Sequence, residues 1–168
     1  LILAGHDISA GGLITTLLEM CFANTEGGME INLDKIKCDD IVKILFAENP
    51  GVVIQVADKH KAEVKKILED AGVSYVKIGV PTEERHILAT LHDATYQFGI
   101  DYLRDVWYST SYLLDRKQSM NGCAKKRFEN YKQQPLEFVF DKSFTGKLSQ
   151  FGLDPNRRTP SGIKAAII

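Results

Sequence analysis

The sequence has almost no net charge: 21 lysines and arginines stand against 22 aspartates and glutamates, giving −1 at pH 7. Without a basic excess there is no electrostatic hold on a phosphate backbone, so nucleic acid is not expected as a partner. Cysteine is scarce, and Cys21, Cys38 and Cys123 are widely spaced with no Cys-x-x-Cys pair. That excludes a disulfide framework and a zinc knuckle and reads as a reducing, cytoplasmic chain. No apolar run approaches the roughly 18 residues that cross a bilayer. No basic segment precedes an apolar one at the start, so neither secretion nor membrane insertion is expected. An initiating methionine is also missing. The chain opens on Leu-Ile-Leu and closes on Ala-Ala-Ile-Ile, and both ends read as cut from a longer polypeptide.

What is present is an average globular composition, 44% hydrophobic and 26% charged over 168 residues, enough for one domain with its own core. Residues 1–5 suit a short buried strand. From Ala10 to Asn24, Ile14, Leu17, Leu18 and Cys21 recur at helical spacing, with Ser9 as the expected N-cap. Met29 to Leu33 reads as a strand, and Asp39 or Asp40 caps a short helix through Ile41, Ile44, Leu45 and Phe46. Gly51 to Ala57 is β-branched and nearly continuous, the pattern of a central strand covered on both faces. Asp58 is expected to cap a helix with Val64, Ile67, Leu68 and Ala71 inward and Gly72 past its end. Val73 to Val80 and His86 to His92 read as strands joined by a turn over Pro81 to Arg85, the pattern of a hairpin.

In the second half, Ile100 to Ser119 predicts a long helix with Leu103, Val106, Trp107, Leu113 and Leu114 on one side. Asn121 to Lys132 predicts another, through Ala124, Phe128 and Tyr131, and Leu136 to Phe140 a short strand. Regular structure then thins out. Residues 152–162, "GLDPNRRTPSG", form the best linker candidate. The division expected is a domain over 1–151, then a linker and the start of another domain over 152–168.

The stretch "AGHDISAGGL" at 4–13 carries the chemistry. A sharp turn into a helix start presents backbone N–H groups and the positive end of the helix dipole, which attract phosphate. Glycines allow close approach, and an aspartate before the turn can hold Mg²⁺, which takes one or two carboxylates plus phosphate oxygens. Asp7 has that place. His6 either contacts a phosphate or an acyl intermediate, or bonds to the backbone of the turn. On the residues alone, a tight strand-to-helix turn is the simpler reading.

"GHDISAGGLITTLLEMCFA" closely resembles the His-Asp-x-Ser-Asp-Gly-Gly-Leu segment opening the C-terminal domain in the family of aminoimidazole ribonucleotide synthetase and phosphoribosylformylglycinamidine synthase. "LFAENPGVVIQV" at 45–56 and "LRDVWYSTSYLLDRKQSMNGCAKKRFE" at 103–129 resemble segments of the large single-chain form of that family, in the same order. The resemblance implies the second such C-terminal-type domain of the synthase half. The implied fold is α/β, a three-layer α/β/α domain with a mixed sheet, partly ferredoxin-like. The implied reaction is a ligation, the ATP- and glutamine-dependent amidation of formylglycinamide ribonucleotide in purine synthesis. The implied partners are the other synthase domains and a glutaminase domain of the same chain, with small-molecule nucleotides as substrates. The fragment alone is then expected to be inactive.

By resemblance, Asp7 is a Mg²⁺ ligand facing the phosphates of ATP or ADP, and Ser9, Gly11 and Gly12 contact phosphate. His6 matches as a possible catalytic residue. Ala10 departs from the family's usual aspartate, so any contact made by that carboxylate is missing. The family's internal duplication leaves two nucleotide sites, one catalytic and one structural, and the sequence does not assign Asp7 to either. The rival is a ferredoxin-like binding or assembly module whose Gly-Gly turn only shapes the backbone. Glu48 reads as a solvated or capping residue, and His60 as solvent-exposed. His86 and His92 read as structural, Trp107 as core, Arg104 and Arg116 as partners of carboxylates, and Lys125 to Arg127 as a solvated helix face.

Overall fold

The computed structural model describes residues 1–133, 139–154, 156 and 158. The chain divides into two compact units, 1–133 and 134–168. The first contains six strands, β1 (Ile2–Ile8), β2 (Gly28–Asn32), β3 (Gly51–Val56), β4 (Gly79–Thr82), β5 (His86–Leu91) and β6 (Ala94–Gly99). Its helices are α1 (Gly12–Phe22), α2 (Ile41–Phe46), α3 (Lys61–Asp70), α4 (Ile100–Gln118) and α5 (Cys123–Glu129). The class is mixed α/β with a mixed sheet. β4, β2, β5 and β6 lie in that order, with β2 parallel to β5 and the other neighbours antiparallel. A separate antiparallel pair joins β1 to β3, with Asp7 opposite Val52 and Ile8 opposite Gly51.

The core follows from the periodicities. Leu13, Ile14, Leu17, Leu18 and Cys21 of α1 pack with Ile31, Leu33, Ile44, Leu45 and Ile100. β5 alternates, burying Ile87, Ala89 and Leu91 on one face, as a pleated strand with one apolar side should. Each large aliphatic side chain removed from water here contributes about 1.5–3 kcal/mol. Asp40 caps α2, its carboxylate accepting from the amides of Val42 and Lys43, an arrangement worth about 1 kcal/mol.

Several expectations need correction. The opening strand continues to Ile8, and Leu1, Ile2 and Leu3 are exposed rather than buried, because β1 has only β3 beside it among the described residues. For the same reason β3 is not a central strand, and Val52 is 68% exposed. Ser9 does not cap α1: the N-cap is Gly11, in the left-handed region, with no side chain of its own to bond there. Asp58 lies in a 3-10 turn over Asp58–His60 and does not cap α3, in which only Val64 is buried. The strand expected from Val73 starts only at Gly79 and includes Pro81, tolerated because β4 is the sheet edge. β5 is no hairpin partner of β4; β2 lies between them, and β5 turns instead into β6 through His92 and Asp93. His92 there has φ 54°.

α4 also differs from the expected amphipathic helix, since its buried residues are Ile100 and Arg104. Val106, Leu113 and Leu114 are more than half exposed, and Trp107 is 50% exposed rather than core. Arg104 is buried in an aromatic cage, its guanidinium 3.7 Å from the Tyr131 ring centre, 4.8 Å from Tyr108 and 5.3 Å from Phe128. It donates to the Phe128 carbonyl at 2.9 Å and to Asp105 at 3.0 Å. Arg116 lies over the Tyr112 ring.

At the start of α4, Asp101 gathers Arg85, Tyr131 and Lys132. Arg85 also donates to the carbonyls of Cys21 and Gly27, tying the end of α1 to this corner. Burial pushes the Asp101 carboxyl up, but hydrogen bonds from Lys132, Arg85 and Tyr131 outweigh it and hold the group below its usual range. Burial and the bond to Asp101 push the Tyr131 phenol up to about 12. A phenol whose pKa rises on folding adds stability that is complete below its unfolded value of about 10 and is lost as pH climbs to about 12. The stability gap between wild type and Tyr131→Phe is therefore expected to shrink from pH 10 to 12, as thermal melts across that range will show.

In the second unit, a 3-10 turn spans Leu148–Phe151; Phe140 stacks on Phe144 at 4.7 Å, and Phe151 lies tilted against Phe144 at 6.2 Å. Of the strand expected over 136–140, residues 136–138 lie outside the described residues; Val139 and Phe140 are in no strand. Most of the expected linker and all of 159–168 also lie outside them.

Candidate functional site

The turn of "AGHDISAGGL" joins the end of β1 to α1. Gly11 has φ 86° and Gly12 φ 73°, a region that costs a residue with a Cβ roughly 1–2 kcal/mol. Space adds a second requirement. A Cβ on Gly12 would sit 2.7 Å from the Leu45 carbonyl oxygen and the Phe46 carbonyl carbon, so the turn rests directly on the backbone at the end of α2. A Cβ on Gly11 would strike Thr15. The Gly12 amide donates to the Ser9 carbonyl at 3.0 Å, closing the turn.

The Gly11 amide donates to Glu48 Oε1 at 2.8 Å. Of the two readings of Glu48, solvated or capping, the structure shows the second: its carboxylate is the acceptor of the turn at the N-cap of α1, and "LFAE" with "SAGG" make one structural unit. Both glycine amides are therefore engaged inside the chain, so a phosphate would have to replace the Glu48 carboxylate to reach Gly11.

His6 and Asp7 are neighbours on β1. The Asp7 side chain is 71% exposed, and its Oδ1 lies 3.5 Å from His6 Nδ1. His6 is partly covered, with Nε2 facing Glu19 Oε2 at 3.2 Å. Glu19 Oε1 also accepts from Trp107 Nε1 at 2.8 Å. Thr16, 2% exposed, donates to the Asp7 carbonyl at 3.0 Å. Glu19 and Thr16 escaped the sequence reading, although the three polar residues Thr15, Thr16 and Glu19 inside the apolar run "LITTLLEMCFA" are the signal that marks them. Ser9 and Ala10 are exposed at the turn.

The structure thus brings His6, Asp7, Ser9, Gly11 and Gly12 to one end of β1, with Glu48 beside them. An exposed carboxylate such as Asp7 is the kind of hard oxygen donor that Mg²⁺ takes singly when phosphate and water supply the rest. Among the described residues no group of three His, Cys, Asp or Glu side chains forms a metal cage. Two open depressions lie elsewhere, one lined by Asp39, His92 and Tyr96 and one by Thr25, Arg85 and Lys132. No helix among the described residues is long and apolar enough to cross a membrane.

A β1-turn-α1 entry followed by this mixed sheet defines the class: residues 1–92 match the family described as AIR synthase related protein, C-terminal domain, and the chain belongs to it. More particular relatives can be named. The chain is 34% identical over 128 residues to phosphoribosylformylglycinamidine synthase of Homo sapiens, covering 74% of this chain and 9% of that one. It is 36% identical over 135 residues to the Saccharomyces cerevisiae protein of the same name, covering 76% and 10%. An Arabidopsis thaliana protein named as a probable phosphoribosylformylglycinamidine synthase, chloroplastic/mitochondrial, is 34% identical over 157 residues, covering 89% and 11%. The chain spans about a tenth of the length of these relatives.

Proposed function

We propose that this chain is a domain of a phosphoribosylformylglycinamidine synthase, in which ATP and glutamine drive amidation of formylglycinamide ribonucleotide during purine synthesis. Its part is to help hold a Mg-nucleotide, with Asp7 as a metal ligand and Ser9, Gly11 and Gly12 beside the phosphates. The observation that carries this reading is the exposed Asp7 carboxylate at the strand-to-turn junction of a domain whose relatives bear that name. When bound, Mg²⁺ would neutralise phosphate charge and fix the nucleotide's orientation. The chain's own contribution is placement: β1 presents Asp7, and the Gly11-Gly12 turn, seated on Thr15 and the end of α2, sets the backbone that follows it. The remaining ligands, the glutaminase and the other synthase domains belong to the rest of such a chain, and the 168 residues alone should make no product.

The test uses the full-length protein and compares wild type with Asp7→Asn, which keeps the shape and removes the charge. Bound ADP per chain and turnover are both measured. Loss of bound ADP and stability ahead of activity assigns Asp7 to a structural nucleotide. Collapse of turnover with ADP retained assigns it to the catalytic site. No change in either leaves a turn that only shapes the backbone, the role favoured by the engagement of both glycine amides within the chain.

A further inference from the structure

The Asp7 carbonyl has two side chains within hydrogen-bond distance, Thr16 Oγ1 at 3.0 Å, which also reaches the Gly12 carbonyl at 3.2 Å, and His6 Nδ1 at 2.8 Å. The second ring nitrogen of His6 faces Glu19 at 3.2 Å, and Glu19 in turn is held by Trp107 at 2.8 Å. One continuous network therefore joins β1, α1 and α4. Carbonyl and carboxylate oxygens only accept, so whichever ring nitrogen carries the proton donates, Nδ1 to the Asp7 carbonyl or Nε2 to Glu19. A histidine acting as nucleophile or general base needs a ring nitrogen with a free lone pair near the reacting atom. Each nitrogen of His6 already faces oxygens of the chain, Nδ1 the carbonyl and carboxylate of Asp7 and Nε2 the carboxylate of Glu19.

We propose that His6 and Glu19 are positioning residues rather than catalytic ones. Glu19, anchored by Trp107, orients the His6 ring, and His6 with Thr16 fixes the Asp7 peptide so that its carboxylate stands out at the mouth of the turn. This rests on the reading of Asp7 as a Mg-nucleotide ligand. It goes beyond that reading by assigning the residues that hold Asp7 in place, and by removing His6 from the candidate catalytic groups.

The experiment uses the full-length polypeptide and two readouts: the Kd for Mg·ADP by titration calorimetry, and amide exchange over residues 5–13 by mass spectrometry. Asparagine at position 6 places an amide nitrogen near where Nδ1 sits, and glutamine places one near Nε2. His6→Asn is expected to bind Mg·ADP within about threefold of wild type, and His6→Gln and His6→Ala about tenfold more weakly, the worth of one hydrogen bond. Exchange over 5–13 should quicken about tenfold in His6→Ala and Glu19→Ala. If Glu19→Ala does not fold, Glu19→Gln carries the measurement, since one of the two oxygens that face His6 and Trp107 is replaced by a donating NH2.

Equal weakening by all three His6 substitutions with exchange unchanged would mean that the ring touches the ligand, and the proposal would fall. Should Asp7→Asn leave Mg·ADP binding intact, the nucleotide reading fails instead. The exchange result for Glu19→Ala then still decides the positioning role, and unchanged exchange there overturns it.

Discussion

Alanine in place of Gly12 is expected to lower stability by about 3 kcal/mol or more, the sum of a left-handed backbone and an overpacked contact. The contact is the larger part, because a Cβ at 2.7 Å would meet backbone atoms of Leu45 and Phe46, which cannot rotate away. Gly72 supplies the control. It too has positive φ, 65°, but nothing lies within 4 Å of its would-be Cβ, so Gly72→Ala should cost only about 1 kcal/mol. Urea midpoints of the transition reporting this domain will separate the two terms. Equal costs at the two positions would show that the turn does not rest on α2.

Arg104→Ala is expected to be nearly as damaging, at about 3 kcal/mol. It empties the space between Tyr108, Phe128 and Tyr131 and leaves the Phe128 carbonyl without its donor. Lysine should recover less than half of the loss. It keeps the charge, but a compact ammonium cannot stack on three rings and donate in two directions as a planar guanidinium does. Full recovery by Arg104→Lys in thermal unfolding would reduce the cage to a simple charge effect.

The parts of this fold that were legible in the sequence are those in which one face is buried against a single neighbour. Ile14, Leu17, Leu18 and Cys21 betray α1 by spacing alone, and all four are buried. β6 was missed because "ATYQFG" mixes polar and aromatic residues on a largely exposed edge strand, and the His92-Asp93 turn has no glycine to announce it. Pairing order was not legible at all, since nothing local in Met29 to Asn32 says that the neighbours will be β4 and β5. The residues of the candidate site could be named from their motif, but not their partners. Glu48 stands 37 positions from Gly11 and Trp107 stands 88 from Glu19, distances over which periodicity carries no information.

The parallel register of β2 with β5, Met29 opposite Ile87, has a consequence for biosynthesis. When β2 leaves the ribosome, the strand that must lie against it has not yet been translated. At about 5–20 residues per second, the wait lasts several seconds. During it, Ile31 and the apolar stripe of α1 have no sheet to cover them, while β5 and β6 will form a local hairpin as soon as both exist. Slowing translation through residues 33–86 should therefore lengthen the interval in which the nascent domain needs a chaperone, whereas the same pause placed after β6 should have little effect.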